Sequence, residues 1–333
     1  MEILLGKNKT FYKANLHCHS IKSDGYSTVE HIKEVYKKNG YSVVAFTDHD
    51  AIHSNSHLND EGFLAITAFE LSIKEDPNTS TLISHKMRCA HFNLFALEEN
   101  NLTTPCYSPI YDKYKTEWSD EVKYEGIYER EMTADCVNDI IKIAHEKGFL
   151  ICLNHPSWSL MDATDYLEYK GLDMVEIVNY ACCLNGHSDD EHVLDVMARH
   201  GKAPYCVAAD DAHSGKSLGK HGSDSLGGWV MIDAPSLKYG EIMKSLKNGE
   251  FYASSGPEIY SITREGNEIT VKCSEVDRIY LATNSRVRKA LASQEGKSVS
   301  EATFELGEGY ELFRITVVDK NGKKAYSQFY NVN

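Results

Sequence analysis

The sequence predicts an α/β architecture with a parallel sheet from residue 10 to about 256, followed by a small all-β unit over residues 258–333. Three observations predict it. Short apolar strands alternate with amphipathic helices through the first part, the pattern of strands joined by helical crossovers. Four of those helices stop at a glycine, Gly40, Gly148, Gly201 or Gly249, the residue that most easily turns the chain out of a helix. Beyond FYASSGPEI the period shortens to 2, which is that of strands alone.

The elements follow in order. Thr28 to Asn39 carries Val29, Ile32, Val35 and Tyr36 on one helical face and leads through Gly40 into the strand YSVVAF. The same grammar recurs in Ala134 to Lys147 before FLICL, in Asp189 to His200 before PYCVAA, and in Ser236 to Asn248. Between Asn100 and Glu131 the periodicity fails in a stretch rich in Tyr, Asp, Glu and Lys. It reads as an insertion, either a cover for a site or a surface loop. Later, Ile269, Val271 and Cys273 alternate with Thr270 and Lys272, and Phe313, Ile315 and Val317 alternate with Arg314 and Thr316. These are expected to be half-buried strands of an antiparallel sandwich that supplies no metal ligand. A chain of 333 residues exceeds one typical compact domain unless that domain is a barrel. The expected division is therefore 1–257 and 258–333.

Composition narrows the function. No apolar run reaches the ~18 to 20 residues that span a bilayer, and the N-terminal stretch MEILLGKNKTFYKANLH lacks the pattern of a secretory signal. A water-soluble protein of the cytoplasm, with no membrane partner, is expected. Nine cysteines without a regular framework or a CxxC pair are expected to be reduced thiols. A net charge of -14 argues against a nucleic-acid partner. A small anionic substrate stays compatible with it, because bound cations invert the local field.

Potential metal ligands gather at or near the ends of expected strands, the face on which parallel α/β proteins assemble sites. In KANLHCHS, His17 and His19 are two apart, so on an extended chain both point to one side, and SDG adds Asp24 in a turn. TDHD places His49 between Asp48 and Asp50, which could orient its ring. The strand FLAITAFE closes on Glu70, where a buried carboxylate needs a cation or donors to offset desolvation. RCAHFNLFAL contains His91, FLICLNHP ends in His155, and PYCVAADDAH supplies Asp211 and His213, with Asp210 facing the other way or lying in the bend. Six imidazoles and three carboxylates suit two or three divalent ions such as Zn, Mn or Fe.

Taken together, HxH with SDG, TDHD, Glu70 and His91 leading to NHP, and the closing DAH resemble the PHP (polymerase and histidinol phosphatase) superfamily of metal-dependent phosphoesterases over residues 10 to 256. The following all-β segment looks like a two-domain branch that includes carbaryl hydrolase-like enzymes. The resemblance implies a distorted (β/α)7 barrel followed by an Ig-like sandwich. It also implies one ion held by His17, His19, Glu70 and Asp211, a second bridged by Glu70 to His91 and His155, and a third held by Asp24, His49 and His213. The implied reaction is attack of a metal-bridging hydroxide on the phosphorus of a small phosphorylated metabolite, a mono- or diester. Asp48 is a candidate for proton transfer or for orienting a ligand, and Lys22, Lys216, Lys220 and His221 are candidates to meet the substrate. Two other classes fit the same residues: a carbamate or carboxylic ester hydrolase, and a non-catalytic metal-containing binding protein.

Overall fold

The computed structural model describes residues 1–76, 85–111 and 123–332. The strands in chain order are β1 (Glu2–Leu5), β2 (Phe11–Asn15), β3 (Val43–Phe46), β4 (Leu64–Lys74) and β5 (Cys89–Ala96), then a two-residue pair within the insertion, β6 (Thr103–Thr104) and β7 (Lys123–Tyr124). β8 (Phe149–Leu153), β9 (Met174–Asn179), β10 (Tyr205–Ala209), β11 (Trp229–Asp233) and β12 (Phe251–Ser254) complete the first part. Helices α1 (Val29–Lys38), α2 (Ala134–Glu146), α3 (Ala163–Tyr166), α4 (Tyr180–Leu184), α5 (Glu191–Arg199) and α6 (Tyr239–Lys247) lie between them. The four glycine stops all hold positive φ, +70° to +80°, a conformation that a Cβ would disfavour. Thr28 and Thr133 cap α1 and α2 by accepting from the backbone N–H groups of His31 and Cys136. No described helix is long and apolar enough to cross a membrane, and all nine cysteines are free thiols.

Seven strands stand side by side in the order β10-β9-β8-β5-β4-β3-β2. The expected parallel sheet is instead mixed, because β5 runs antiparallel to both β4 and β8. The expected closed barrel is not formed either. The ladder continues from β2 through β11 and β12 and ends elsewhere, leaving β10 as a terminal strand. β10 nevertheless packs beside β11 and β12, and a side chain spans the gap. The buried amide of Gln328 accepts from Cys206 N–H at 2.6 Å and donates to Cys206 O and Phe251 O at 3.2 Å each. These backbone groups would otherwise lack a ladder partner in a dry seam.

The remaining strands are β13 (Ile259–Glu265), β14 (Glu268–Val276), β15 (Arg278–Thr283), β16 (Arg288–Ala292), β17 (Val299–Glu305), β18 (Leu312–Val318), β19 (Lys324–Tyr326) and β20 (Tyr330–Asn331). They form two layers around a core that includes Ile262, Val271, Phe304 and Ile315. One layer is β1-β13-β14-β17, so the first strand, assigned by the 1–257 boundary to the barrel, completes the second unit instead. The other layer, β19-β18-β15-β16, is hydrogen-bonded through β12 to the strands of the first part as one sheet. Period-2 alternation fails on β18. Arg314 and Thr316, expected outside, are buried with Phe313, Ile315 and Val317, because the second face of the strand meets α5. There the Arg314 guanidinium binds Glu191 at 2.6 Å and Asp195 at 3.1 Å.

Candidate metal centre

The nine ligand-type residues named from the sequence converge at one end of the seven strands. His17 and His19 lie just beyond β2, and backbone bonds Asp211 N–H to His17 O (3.0 Å) and His19 N–H to Ala212 O (2.9 Å) bind that segment to the one following β10. His49 follows β3, and its residue bridges to Glu70. Glu70 is not at the end of its strand, which runs on to Lys74. His91 stands near the start of β5 rather than its end. Because β5 is reversed, its start meets the same face, with His91 paired to Ser72 across the ladder.

The donor atoms are spaced as around cations. Glu70 Oε1 lies 3.4 Å from His17 Nε2, 3.2 Å from His91 Nδ1 and 3.4 Å from His155 Nε2, and Oε2 lies 3.4 Å from His19 Nε2 and 3.1 Å from His49 Nδ1. Asp211 Oδ1 is 3.1 Å from both His17 Nε2 and His19 Nε2. Asp24 lies 3.4 Å from His19 Nδ1, 3.4 Å from His49 Nε2 and 3.5 Å from His213 Nε2. Ligands at about 2.0–2.2 Å from a zinc-like ion stand about 3.0–3.6 Å from one another. Among the described residues the geometric groupings are His19, Asp24, His49 and His213; His17, His19 and Glu70; His17, His155 and Asp211; and Glu70, His91 and His155. His19 thus also faces the group expected to comprise Asp24, His49 and His213 alone.

Tautomers make the donor set specific for cations. His17 Nδ1 is 3.0 Å from Glu176 Oε1, and His213 Nδ1 is 2.9 Å from Asp211 O. Both partners are acceptors, so in the neutral ring the N–H sits on Nδ1 and Nε2 presents a bare lone pair. Those bare nitrogens face carboxylate oxygens. Lone pair against lone pair is repulsive unless a proton or a metal cation intervenes, and the residues present therefore fit divalent metal ions.

Without metal, protonation reflects the same demand. Burial opposes ionisation of Glu70, but the imidazoles of His91, His17 and His49 outweigh it and hold the carboxyl well below its usual range. Burial would lower His49, yet Glu70 and Asp24 push it up to about 9. His213, also desolvated, is pushed up to about 9, chiefly by Asp24. Backbone strain accompanies the site, since Asp50, His155 and Asp211 hold positive φ of 56°, 29° and 56°.

Glu176 is the residue that sequence reasoning missed. It lies fully buried on β9 and accepts from His17 Nδ1 at 3.0 Å, His155 N–H at 2.9 Å and Asn179 Nδ2 at 2.9 Å. The signal was present in MVEIVN, a carboxylate inside an apolar strand, the argument that singled out Glu70. Glu176→Gln is expected to weaken metal binding by about 10–100-fold while the fold persists. Its amide nitrogen must oppose one of three donors. Competition with a metal chelator checks this, and unchanged affinity would remove Glu176 from the centre.

Other candidates fall elsewhere. Asp48 accepts from Ser20 N–H (2.8 Å), Ser20 Oγ and Ser23 Oγ, so it fixes the turn carrying Asp24 and does not flank the His49 ring as expected. Asp50 pairs with buried Arg130 and accepts Ser72 N–H at 3.2 Å, which places the described insertion residue Arg130 against the site. Residues 112–122 of the expected 100–131 insertion lie outside the described residues. Asp210 faces away from the ligands, accepting from Tyr36 OH and the N–H groups of Leu226, Gly227 and Gly228. A cavity of about 460 Å³ opens beside the centre, bounded by Asp24, His49, His91, Lys74, Arg88 and Trp158 among others. Lys22, Lys216, Lys220 and His221, expected to meet the substrate, do not line it. Lys22 donates to Asn55 Oδ1 at 3.0 Å, and the other three are exposed.

No protein-family model matches the chain, and no curated protein matches it. Among solved structures it is similar to a two-domain protein containing a predicted PHP-like metal-dependent phosphoesterase from Bacteroides vulgatus, at 15% identity and a TM-score of 0.46, over 99% of this chain and 98% of that one. It is also similar to a candidate metal-dependent phosphoesterase from Bifidobacterium adolescentis (16% identity, TM-score 0.38, 62% of this chain and 89% of that one). An amidohydrolase from Chromobacterium violaceum with bound sulfate and no metal is similar at 14% identity and a TM-score of 0.38, over 60% of this chain and 87% of that one.

Proposed function

We propose that this chain is a metal-dependent phosphoesterase of the PHP superfamily that hydrolyses a small phosphorylated metabolite, using two or three Zn, Mn or Fe ions. The observation that carries the reading is the convergence of imidazole nitrogens on three carboxylates, Asp24, Glu70 and Asp211, at separations of 3.1 to 3.5 Å. Bound divalent ions would supply activation of water and neutralisation of phosphoryl charge. The chain's own residues do the positioning. Glu70 presents one oxygen to His17, His91 and His155 and the other to His19 and His49. Glu176 fixes the His17 ring, and Ser159 Oγ, 3.1 Å from Nδ1, holds the His155 ring. Asp24 and His213 are the half-exposed members, so substrate reaches the centre past them and through the cavity shared by His49 and His91.

Protein prepared without chelators is expected to carry at least two transition-metal ions per chain and to hydrolyse p-nitrophenyl phosphate or bis-p-nitrophenyl phosphate in preference to a naphthyl carbamate. Fewer than one ion by elemental analysis, with no activity recovered on adding Mn or Zn, would overturn the reading. Preference for the carbamate would assign the centre to carbonyl chemistry.

A further inference from the structure

We propose that the cavity beside the metal centre selects phosphoesters whose alcohol carries a planar ring, and that Trp158 is the specificity-determining residue that stacks on it. The inference rests on the phosphoesterase reading above. Its support is a turn, His155 to Met161, built to hold apolar side chains at the cavity. Trp158 and Leu160 both line it and are 44% and 47% exposed.

The turn is fixed at every step, so the exposure is not that of a loose loop. Ser159 N–H bonds His155 O (3.1 Å), Leu160 N–H bonds Ser157 O (3.2 Å) and Met161 N–H bonds Pro156 O (3.1 Å). Ser157 is anchored through its N–H and hydroxyl to the buried Asp190 carboxylate. Cys89 N–H closes on Ser159 O at 3.1 Å, tying the turn to β5. Leu160 holds φ +58°, a left-handed conformation unfavourable for leucine, and it points its side chain to the cavity instead of the core. The Trp158 ring is seated against two ligand imidazoles, His155 at 4.9 Å and His91 at 5.6 Å between centroids. A ring stacked on its open part would lie next to the position of a phosphoryl group at the centre. Tyr111, whose OH accepts Lys74 N–H at 2.9 Å, stands on the same cavity as a further aromatic wall. Offset stacking on an indole is favourable and tolerant of ring identity.

The test compares 2-phenylethyl phosphate with n-butyl phosphate, two alkyl esters alike in leaving group and different in ring. The wild type is expected to prefer the phenyl ester, and Trp158→Ala to reduce that preference in kcat/KM about tenfold, with Trp158→Phe restoring it to within about threefold. Calorimetric titration with 2-phenylethylphosphonate and n-butylphosphonate gives the same comparison without turnover. If Trp158→Ala weakens both compounds equally in both assays, the tryptophan merely supports His91 and His155 and the inference falls. If neither ester is hydrolysed but the phosphonates show Trp158-dependent discrimination, the ring inference stands and the hydrolytic reading fails.

Discussion

Glu70→Gln is expected to strip the centre of most of its metal, with affinity falling by more than about 100-fold, whereas His213→Ala should remove mainly one ion. The loss of a direct carboxylate ligand should exceed the 10–100-fold typical of residues that only orient ligands. Both Glu70 oxygens are committed, Oε1 toward His17, His91 and His155 and Oε2 toward His19 and His49. An amide replaces one oxygen by a nitrogen that binds no cation. Its hydrogens can meet bare imidazole nitrogens, so the variant should fold. His213 reaches Asp24 and Asp211, stacks on His19 at 4.2 Å between ring centroids, and belongs to one of the groupings alone. Metal analysis after dialysis, with circular dichroism to verify folding, decides the matter. Equal or reversed losses would refute a bridging Glu70.

The second large effect is on stability. Arg314→Ala is expected to destabilise the chain by about 2–5 kcal/mol, because it empties a buried side-chain site and breaks the ion pairs made there with two half-buried carboxylates. The Arg314 side chain is 1% exposed and binds Glu191 and Asp195 on α5, while its guanidinium lies 5.7 Å from the Tyr326 and Phe329 rings. Lys324 still reaches Glu191 at 2.8 Å and Arg288 still reaches Asp195 at 2.8 Å, so each carboxylate keeps one partner and the loss falls on the buried guanidinium's own contacts. Since β12 and β19 join the two units in one sheet, denaturant should unfold wild type in one transition. A loss below about 1 kcal/mol would show that the Arg314 pairs are dispensable.

What was legible in the sequence was whatever a single segment declares about itself. The helix-glycine units were found because an amphipathic face and a C-terminal glycine are local properties. The nine candidate positions that the structure brings together are legible because polar side chains beside apolar strands advertise a need for partners. Strand direction was not legible. Nothing in RCAHFNLFAL says that β5 is reversed, and yet reversal is what brings His91 to the ligand face. Arg314 was misread for the same reason, since alternation assumes that one face of a strand meets solvent, and here α5 covers it. The cavity wall also escaped, because Trp158 and Leu160 acquire meaning only once the turn after β8 is set against β5. Asp48 and Asp50 were named as partners of His49 from adjacency alone, whereas their real partners, Ser20 and Arg130, lie far along the chain.

The Gln328 clamp imposes an order of events during synthesis. Apart from the β6-β7 pair, the strands β2 to β10 emerge so that each can dock on the sheet strand made before it, a growth by accretion with short-range closure. β10 then has a ladder partner on one side only, and its terminal residues lead directly into Asp211 and His213. The amide that satisfies Cys206 arrives 122 residues later. β1 waits longer still, for a partner at Ile259–Glu265. All nine candidate ligands, His17 to His213, are therefore made before the residue that closes the seam beside β10.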